Sequence, residues 1–400
     1  MTPPTPLSIA RALAGVASSR HELMEVRDIL SRGDADAVRL WHLLKHGGVL
    51  PLLASAIGSS LAEEPRNARL ADALRSAYEV NTLRNAVLRK TAVDASRALV
   101  AGGITPLWVK GSWLAFEVYA QPGLRVMSDI DLFVPQGRRA AAVSILQAIG
   151  FERTPDVQDG AAAWTDTLKR AASLPGGGDA VEIDLHDTVR MSQSRVWPVA
   201  VLWDRSREMR IGGVPVRVPS REAGLLYIAV HLFKHGLDLR HTLMAVCDTA
   251  TLLRRHAEPL DLTWIEQQCG DLPTAVALYV LLTLVGDLPT PDARTLHAQL
   301  RTKLDTHGLR KPADNLVSRA DTLSLIRSSD FSLFDVGEQV ATPAAALRFL
   351  VDGVRRWRRR TGGGEEAAAL PRLLSRTNWR YAVATFQAGR LHARAGRHAT

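Results

Sequence analysis

Asp129 and Asp131, in the run Ser128-Asp129-Ile130-Asp131-Leu132, are the residues of this 400-residue chain best placed to do chemistry. On a strand, alternate side chains share a face about 7 Å apart, so both carboxylates point one way while Ile130 and Leu132 face a core. Carboxylates so placed repel one another and call for a counter-cation. Mg²⁺, which takes oxygen ligands and phosphate partners, is the natural one. Upstream, Lys110-Gly111-Ser112 ends an apolar run and opens a helical pattern. Backbone N–H groups and a hydroxyl at a helix entry favour an anion, so phosphate and metal are expected at one spot. In-line phosphoryl displacement with two metal ions calls for a third carboxylate. The run Val181-Glu182-Ile183-Asp184-Leu185-His186 puts Glu182, Asp184 and His186 on one strand face. An edge strand with one wet face has the same alternation, and D-x-D alone is mostly structural. The Gly-Ser turn before it and the acidic strand after it give the pair its meaning.

A second group lies on a helical pattern. His231, Lys234, His235 and Asp238 recur at i, i+3, i+4 and i+7 and share one helix face. Arg240, His241 and Asp248 follow. The stripe is expected to face the catalytic cleft, with Lys234 and His235 reaching a triphosphate and Asp248 orienting a basic partner. His-x₃-His is also a zinc spacing, but no Glu follows the first His and the sequence offers no third ligand at suitable spacing. Satisfied structural histidines are the remaining reading. Arg125, four residues before Asp129, is a further phosphate-binding or orienting candidate.

The elements that must hold these residues follow from periodicity. Residues 1 to about 95 carry apolar positions at helical spacing, broken at Gly47-Gly48 and near Pro51 and Pro65. Residues 104–109 read as a strand, followed by the Lys110-Gly111-Ser112 turn and a helix through Leu114, Val118 and Tyr119 that Pro122-Gly123 closes. Residues 130–134 form the next strand, residues 138–149 a helix, and Phe151 begins a strand. A loop containing Pro175-Gly176-Gly177-Gly178 precedes the acidic strand at 180–186. Residues 209–218 alternate around Gly212-Gly213 as a hairpin does. Ser220 is a helix N-cap, and helical patterns continue to the end. The division expected is a helical region at 1–98, a catalytic core at 99–219 and a helical region at 220–400.

Composition limits the alternatives. With 46% hydrophobic and 23% charged residues, disorder and collagen-like repeats are excluded for the chain as a whole, and its length suits two or three domains. Fifty basic against 41 acidic residues leave a net charge of +9, which favours a phosphate-bearing partner. Much of the surplus is Arg355, Arg356, Arg358, Arg359 and Arg360 around Trp357. That cluster reads first as a solvated helix end, and no interleaved aromatics support a nucleic-acid platform. Ala275–Val285 is about half a membrane span and reads as a buried helix. Arg11 interrupts the one N-terminal apolar stretch, so no signal peptide is expected and the cytoplasm is the expected location. Cys247 and Cys269 have no metal-knuckle spacing and read as core residues.

The order Gly-Ser, D-x-D, acidic strand resembles the nucleotidyltransferase superfamily of the DNA polymerase β type. More closely, Leu107-Trp108-Val109-Lys110-Gly111, Tyr119, residues 124–134, Val181–His186 and residues 231–236 resemble an uncharacterised bacterial nucleotidyltransferase family, over roughly residues 100 to 255. The resemblance implies an α+β fold: a mixed-sheet nucleotidyltransferase core flanked by N-terminal and C-terminal helical regions, with a helical domain closing over a nucleotide. It implies metal ligation and catalysis by Asp129, Asp131 and Asp184, with two Mg²⁺ ions. An NTP, ATP by default, would lie against Lys110, Gly111, Ser112, Arg125, Lys234 and His235. The reaction expected is NMP transfer to an acceptor hydroxyl with release of pyrophosphate, the acceptor being a small molecule, peptide or protein before a nucleic acid. The rival expectation is a catalytically silent nucleotide- or partner-binding module on the same fold.

Overall fold

The computed structural model describes residues 4–15, 20–154, 165–191, 196–255, 258–318 and 320. The Arg355–Arg360 cluster and the expected helical tail lie outside the described residues.

The chain opens with four helices, α1 (Pro6–Leu13), α2 (Arg20–Arg32), α3 (Ala35–His46) and α4 (Leu50–Ala62). Thr5 caps the first through Ser8 N, and Asp34 caps the third through Asp36 N and Ala37 N, each satisfying N–H groups that have no helical partner. A fifth helix, α5 (Ala68–Ala101), runs for 34 residues, about 50 Å at 1.5 Å per residue. It packs along the sheet and against the turn at Pro122–Leu124.

Strand β1 (Leu107–Trp108) leads into α6 (Lys110–Trp113), which continues as a π-turn over Leu114–Val118. Then come β2 (Ile130–Phe133), α7 (Arg139–Ala148), β3 (Glu152–Arg153), β4 (Thr165–Ala171) and β5 (Ala180–His186). A small ribbon of β6 (Val189–Arg190) and β7 (Val196–Trp197) precedes α8 (Ala200–Asp204) and the hairpin β8 (Arg207–Ile211) and β9 (Val214–Val218). The remaining described helices are α9 (Arg221–Lys234), α10 (Leu239–Arg255), α11 (Leu262–Gln268), α12 (Leu272–Val285), α13 (Pro291–Thr306) and α14 (Arg310–Val317). Ser220 caps α9 through Ala223 N, as its position predicts.

Seven strands form one mixed sheet in the order β3-β4-β5-β2-β1-β9-β8, so the fold is α+β. The pairing that matters is parallel, β2 on β5, with Asp131 opposite Asp184 and Phe133 opposite His186. Because side chains alternate, that register puts the acidic positions of both strands on one face, while Ile130, Leu132, Ile183 and Leu185 fill the core behind them. The acidic strand is an inner strand, not an edge: β4 pairs with it antiparallel along its whole length. β4 escapes sequence reading because Thr165-Asp166-Thr167-Leu168-Lys169-Arg170-Ala171 carries one large apolar residue and no alternating stripe. Its Asp166 instead pairs with Arg139 and Arg153.

The helical part closes over the sheet's acidic face. Helix α12, apolar all round, is buried at the centre of this part, with α9, α10, α13 and α14 packed on it. Tyr227 of α9 meets Phe133 of β2 edge to face at 5.8 Å. Gly224 lets α9 approach Trp113 so closely that a Cβ there would lie 2.5 Å from the indole ring.

Candidate active site

The local chain before β2 is held by α5. Buried Asn81 donates to Gly123 O at 2.7 Å, and Asn85 donates to Pro122 O and Arg125 O at 2.7 and 2.8 Å. Those bonds fix the segment that presents Arg125 and Asp129. Asp129 itself sits in the bend before β2, one residue outside the strand on which it was expected, and its carboxylate accepts from Ser128 Oγ at 3.0 Å.

Asp131 is buried on β2 and has two partners, Lys110 Nζ at 2.6 Å and His186 Nε2 at 3.2 Å, both on Oδ1. Burial alone pushes this carboxyl up, but the Lys110 ammonium and the His186 ring outweigh it and hold it well below the usual range. Asp129 moves the other way: burial and then the Asp131 charge raise its carboxyl above the ordinary value. Asp184 Oδ1 accepts from Thr167 Oγ1 on β4 at 2.7 Å. One ligand atom each of Asp131, Asp184 and His186 lies within 4.8 Å of the others, a group able to hold a metal ion. Asp129 is not in that group, although it lines the same cavity. His186 is, held between Asp131 and Thr165 Oγ1 at 2.9 Å and stacked on Phe133. Its place on the acidic face was visible in the sequence. Thr165 and Thr167 were not, because β4 was not recognised. Glu182, the third residue of that face, pairs with Lys169 at the surface.

Lys110 adopts a left-handed backbone, φ 48°, a conformation that costs a non-glycine residue about 1–3 kcal/mol and collects at functional sites. That turn aims its amine back at Asp131. A Cβ at Gly111 would meet Arg125 Nη1 at 2.6 Å, so a larger residue there would push that guanidinium aside. Ser112 departs from its expected role. Its buried hydroxyl lies 2.6 Å from Val109 O and 2.9 Å from Asp131 O, so it ties β2 to the turn and is turned away from any anion.

A cavity of about 480 Å³ separates these residues from the helical wall. Across it stand His231, Lys234, His235, Arg240 and His241, so three members of the expected stripe face the acidic strands, while Asp238 falls past the end of α9 and does not line the cavity. Burial and then the Lys110 charge lower the Lys234 amine to about 8, and burial, with neighbouring cations, pushes the His231 and His235 imidazoles well below their ordinary value. Asp248 is buried on α10 and accepts from Arg125 Nε and Nη2 at 3.1 and 2.9 Å and from Tyr119 Oη at 2.8 Å. Arg125 therefore bridges the sheet wall to the helical wall. A second cavity of about 450 Å³ lies between α4 and α5, and none of the candidate residues lines it.

The histidines also form a group that the sequence hid. His231, His235 and His241 each place a ring nitrogen within 4.8 Å of the others. The third member comes from the next helix, through a reversal at Gly236 and Leu237 that no spacing rule anticipates.

Over residues 33–288 the chain matches the family described as uncharacterised nucleotidyltransferase. No curated protein matches it. Among solved structures it is similar to an antigenic nucleotidyltransferase-like protein from Paracoccidioides brasiliensis, with 16% identity, a TM-score of 0.33 and coverage of 60% of this chain and 93% of that one.

Proposed function

The chain belongs to the uncharacterised nucleotidyltransferase family, and from that membership we propose that it moves NMP, AMP by default, from an NTP to an acceptor hydroxyl with release of pyrophosphate. The observation that carries this reading is the β2–β5 register, which sets Asp131 opposite Asp184 on the floor of a 480 Å³ cavity whose other wall is basic. The donor set suits Mg²⁺: oxygens of Asp131 and Asp184, with Asp129 alongside as a crowded carboxyl that a cation would relieve. When bound, such ions polarise the α-phosphate and lower the pKa of the acceptor hydroxyl.

The chain's own residues supply the rest. Lys234, beside His235, offers its ammonium to the triphosphate from the helical wall, and Lys110 and Gly111 face it from the sheet wall. Arg125, fixed by Asp248, is a positioning residue whose charge also favours the anion. Asp184, oriented by Thr167 Oγ1 on its Oδ1, would hold the ion and help to take the acceptor's proton. As the acceptor oxygen bonds to the α-phosphorus, the bond to the bridging oxygen breaks and pyrophosphate leaves. The acceptor is a small molecule, peptide or protein in this reading, and the cytoplasm is its setting. Among the described residues no helix is long and apolar enough to cross a membrane.

The silent-module reading is favoured by one observation, the Lys110 and His186 contacts that occupy Asp131 Oδ1. Nucleotide titration calorimetry with Mg²⁺, set beside a transfer assay, separates the two. Asp184→Ala should keep Mg·NTP binding and lose transfer. Lys234→Ala should raise the NTP Kd about tenfold or more, the effect of losing a charge-assisted hydrogen bond. Loss of Mg·NTP binding in Asp184→Ala would reassign that residue to the nucleotide-side ion. An unchanged Kd in Lys234→Ala would remove α9 from the nucleotide site.

A further inference from the structure

We propose that His231, His235 and His241 bind a zinc-class divalent ion on the helical wall of the cleft, at a site separate from the carboxylates of the sheet wall. One ring nitrogen of each lies within 4.8 Å of the others. His231 and His235 stand one turn apart at the C-terminal end of α9, where the helix dipole favours a cation. His241 is returned to them by Gly236 and Leu237, both in the left-handed region at φ 66° and 61°. Leu237 is fully buried, and a leucine in that conformation persists only where surrounding packing imposes it. The strained reversal is what completes the triad.

Asp238 provides the second observation. Both of its carboxylate oxygens lie 2.8 Å from His241 Nδ1, and it also accepts from the His241 backbone N–H at 2.8 Å. A carboxylate on one ring nitrogen fixes the imidazole's orientation and leaves the other nitrogen for an ion. His235 and His241 are stacked with centroids 3.8 Å apart, and His231 lies 4.4 and 5.2 Å from them. Zinc–nitrogen bonds of 2.0–2.1 Å at tetrahedral angles bring nitrogens to about 3.3 Å, so His231 and His235 close the site by rotating toward the ring that Asp238 holds. All three line the cleft, which turns the fourth coordination position toward the cavity. Lys234 beside the triad opposes an added positive charge, and Asp238 offsets it. Imidazole nitrogen selects zinc-class ions, while the Asp131 and Asp184 oxygens opposite suit Mg²⁺, and Asp131→Asn tells the two sites apart.

The test needs no nucleotide and stands or falls apart from the transfer reading. Chelator-stripped full-length protein is titrated with Co²⁺, followed by its visible d–d absorption, and zinc content is measured after loading and dialysis. One ion per chain is expected in the wild type and in Asp131→Asn. His231→Gln and His241→Gln should lose it, and Asp238→Asn should weaken it about 10–100-fold. X-ray absorption of the zinc-loaded wild type counts imidazole ligands without relying on variants, and three are expected. Folded wild type that retains neither metal, an oxygen-dominated shell, or a signal lost in Asp131→Asn and kept in His241→Gln would each overturn the proposal.

Discussion

Lys110 and Asp131 face each other at 2.6 Å with Asp131 almost wholly buried, so one carboxylate of the proposed metal site already carries a compensating charge. Removing one partner of a buried pair leaves the other uncompensated, at a cost of about 3–5 kcal/mol. Lys110→Met should therefore lower the melting temperature by several degrees without Mg²⁺, and Mg²⁺ should restore much of the loss by taking the lysine's place. Differential scanning calorimetry with and without the ion checks this, and a variant that melts like the wild type in both would show that Asp131 does not depend on the pair. At this scale the sequence was informative where chemistry repeats along one strand: Glu182, Asp184 and His186 share a face by alternation alone, whereas bringing Asp131 opposite them takes the β2–β5 pairing. It expected the Ser112 hydroxyl to cradle an anion, whereas that hydroxyl lies against Val109 O and Asp131 O, since only the fold decides which carbonyls come near it.

Helix α9 depends on one glycine. Gly224→Ala gains about 1 kcal/mol of helix propensity, but its methyl would sit 2.5 Å from the Trp113 ring, and overpacking of that kind costs about 1–3 kcal/mol. Trp113 is buried and follows directly on Lys110-Gly111-Ser112, so it has little room to retreat and the net effect should be destabilising. A denaturant midpoint below that of the wild type is expected, and a raised midpoint would mean that α9 and α6 are not held together as described. Elements with strong periodicity were legible: the strand at 180–186, the hairpin around Gly212-Gly213 and the buried helix ending at Val285 all stand where the pattern put them. The failures have physical causes. β4 is held by pairing with β5 and by the Asp166 ion pairs and not by an apolar face. The α9–α10 reversal rests on a buried leucine in a conformation that leucine rarely adopts.

At the scale of the molecule, the first helix is locked onto the helical part that follows the sheet. Arg11 of α1 donates through Nε to Leu284 O at 2.8 Å and through Nη2 to Thr283 O at 3.1 Å, meeting carbonyls at the end of α12 that have no helical partner. Arg254 likewise donates to Ala14 O, so α1 is joined to the helices that form the roof of the cleft. Arg11→Ala should cost about 1.5–3 kcal/mol, the range for a hydrogen bond to a charged group, and leave nucleotide and metal affinity unchanged. Chemical denaturation beside calorimetric titration reads both, and a large change in affinity without a change in stability would contradict this assignment.

The most direct test of the whole account follows the phosphorus. Wild-type protein and Asp131→Asn are incubated with Mg²⁺, fractionated cell extract and ATP labelled at either the α- or the γ-phosphate. The account predicts that wild type carries the α-label onto an acceptor and releases the γ-label as pyrophosphate, and that Asp131→Asn loses the transfer by several orders of magnitude. Transfer of the γ-label, undiminished α-transfer by Asp131→Asn, or nucleotide bound without transfer in every fraction would contradict it.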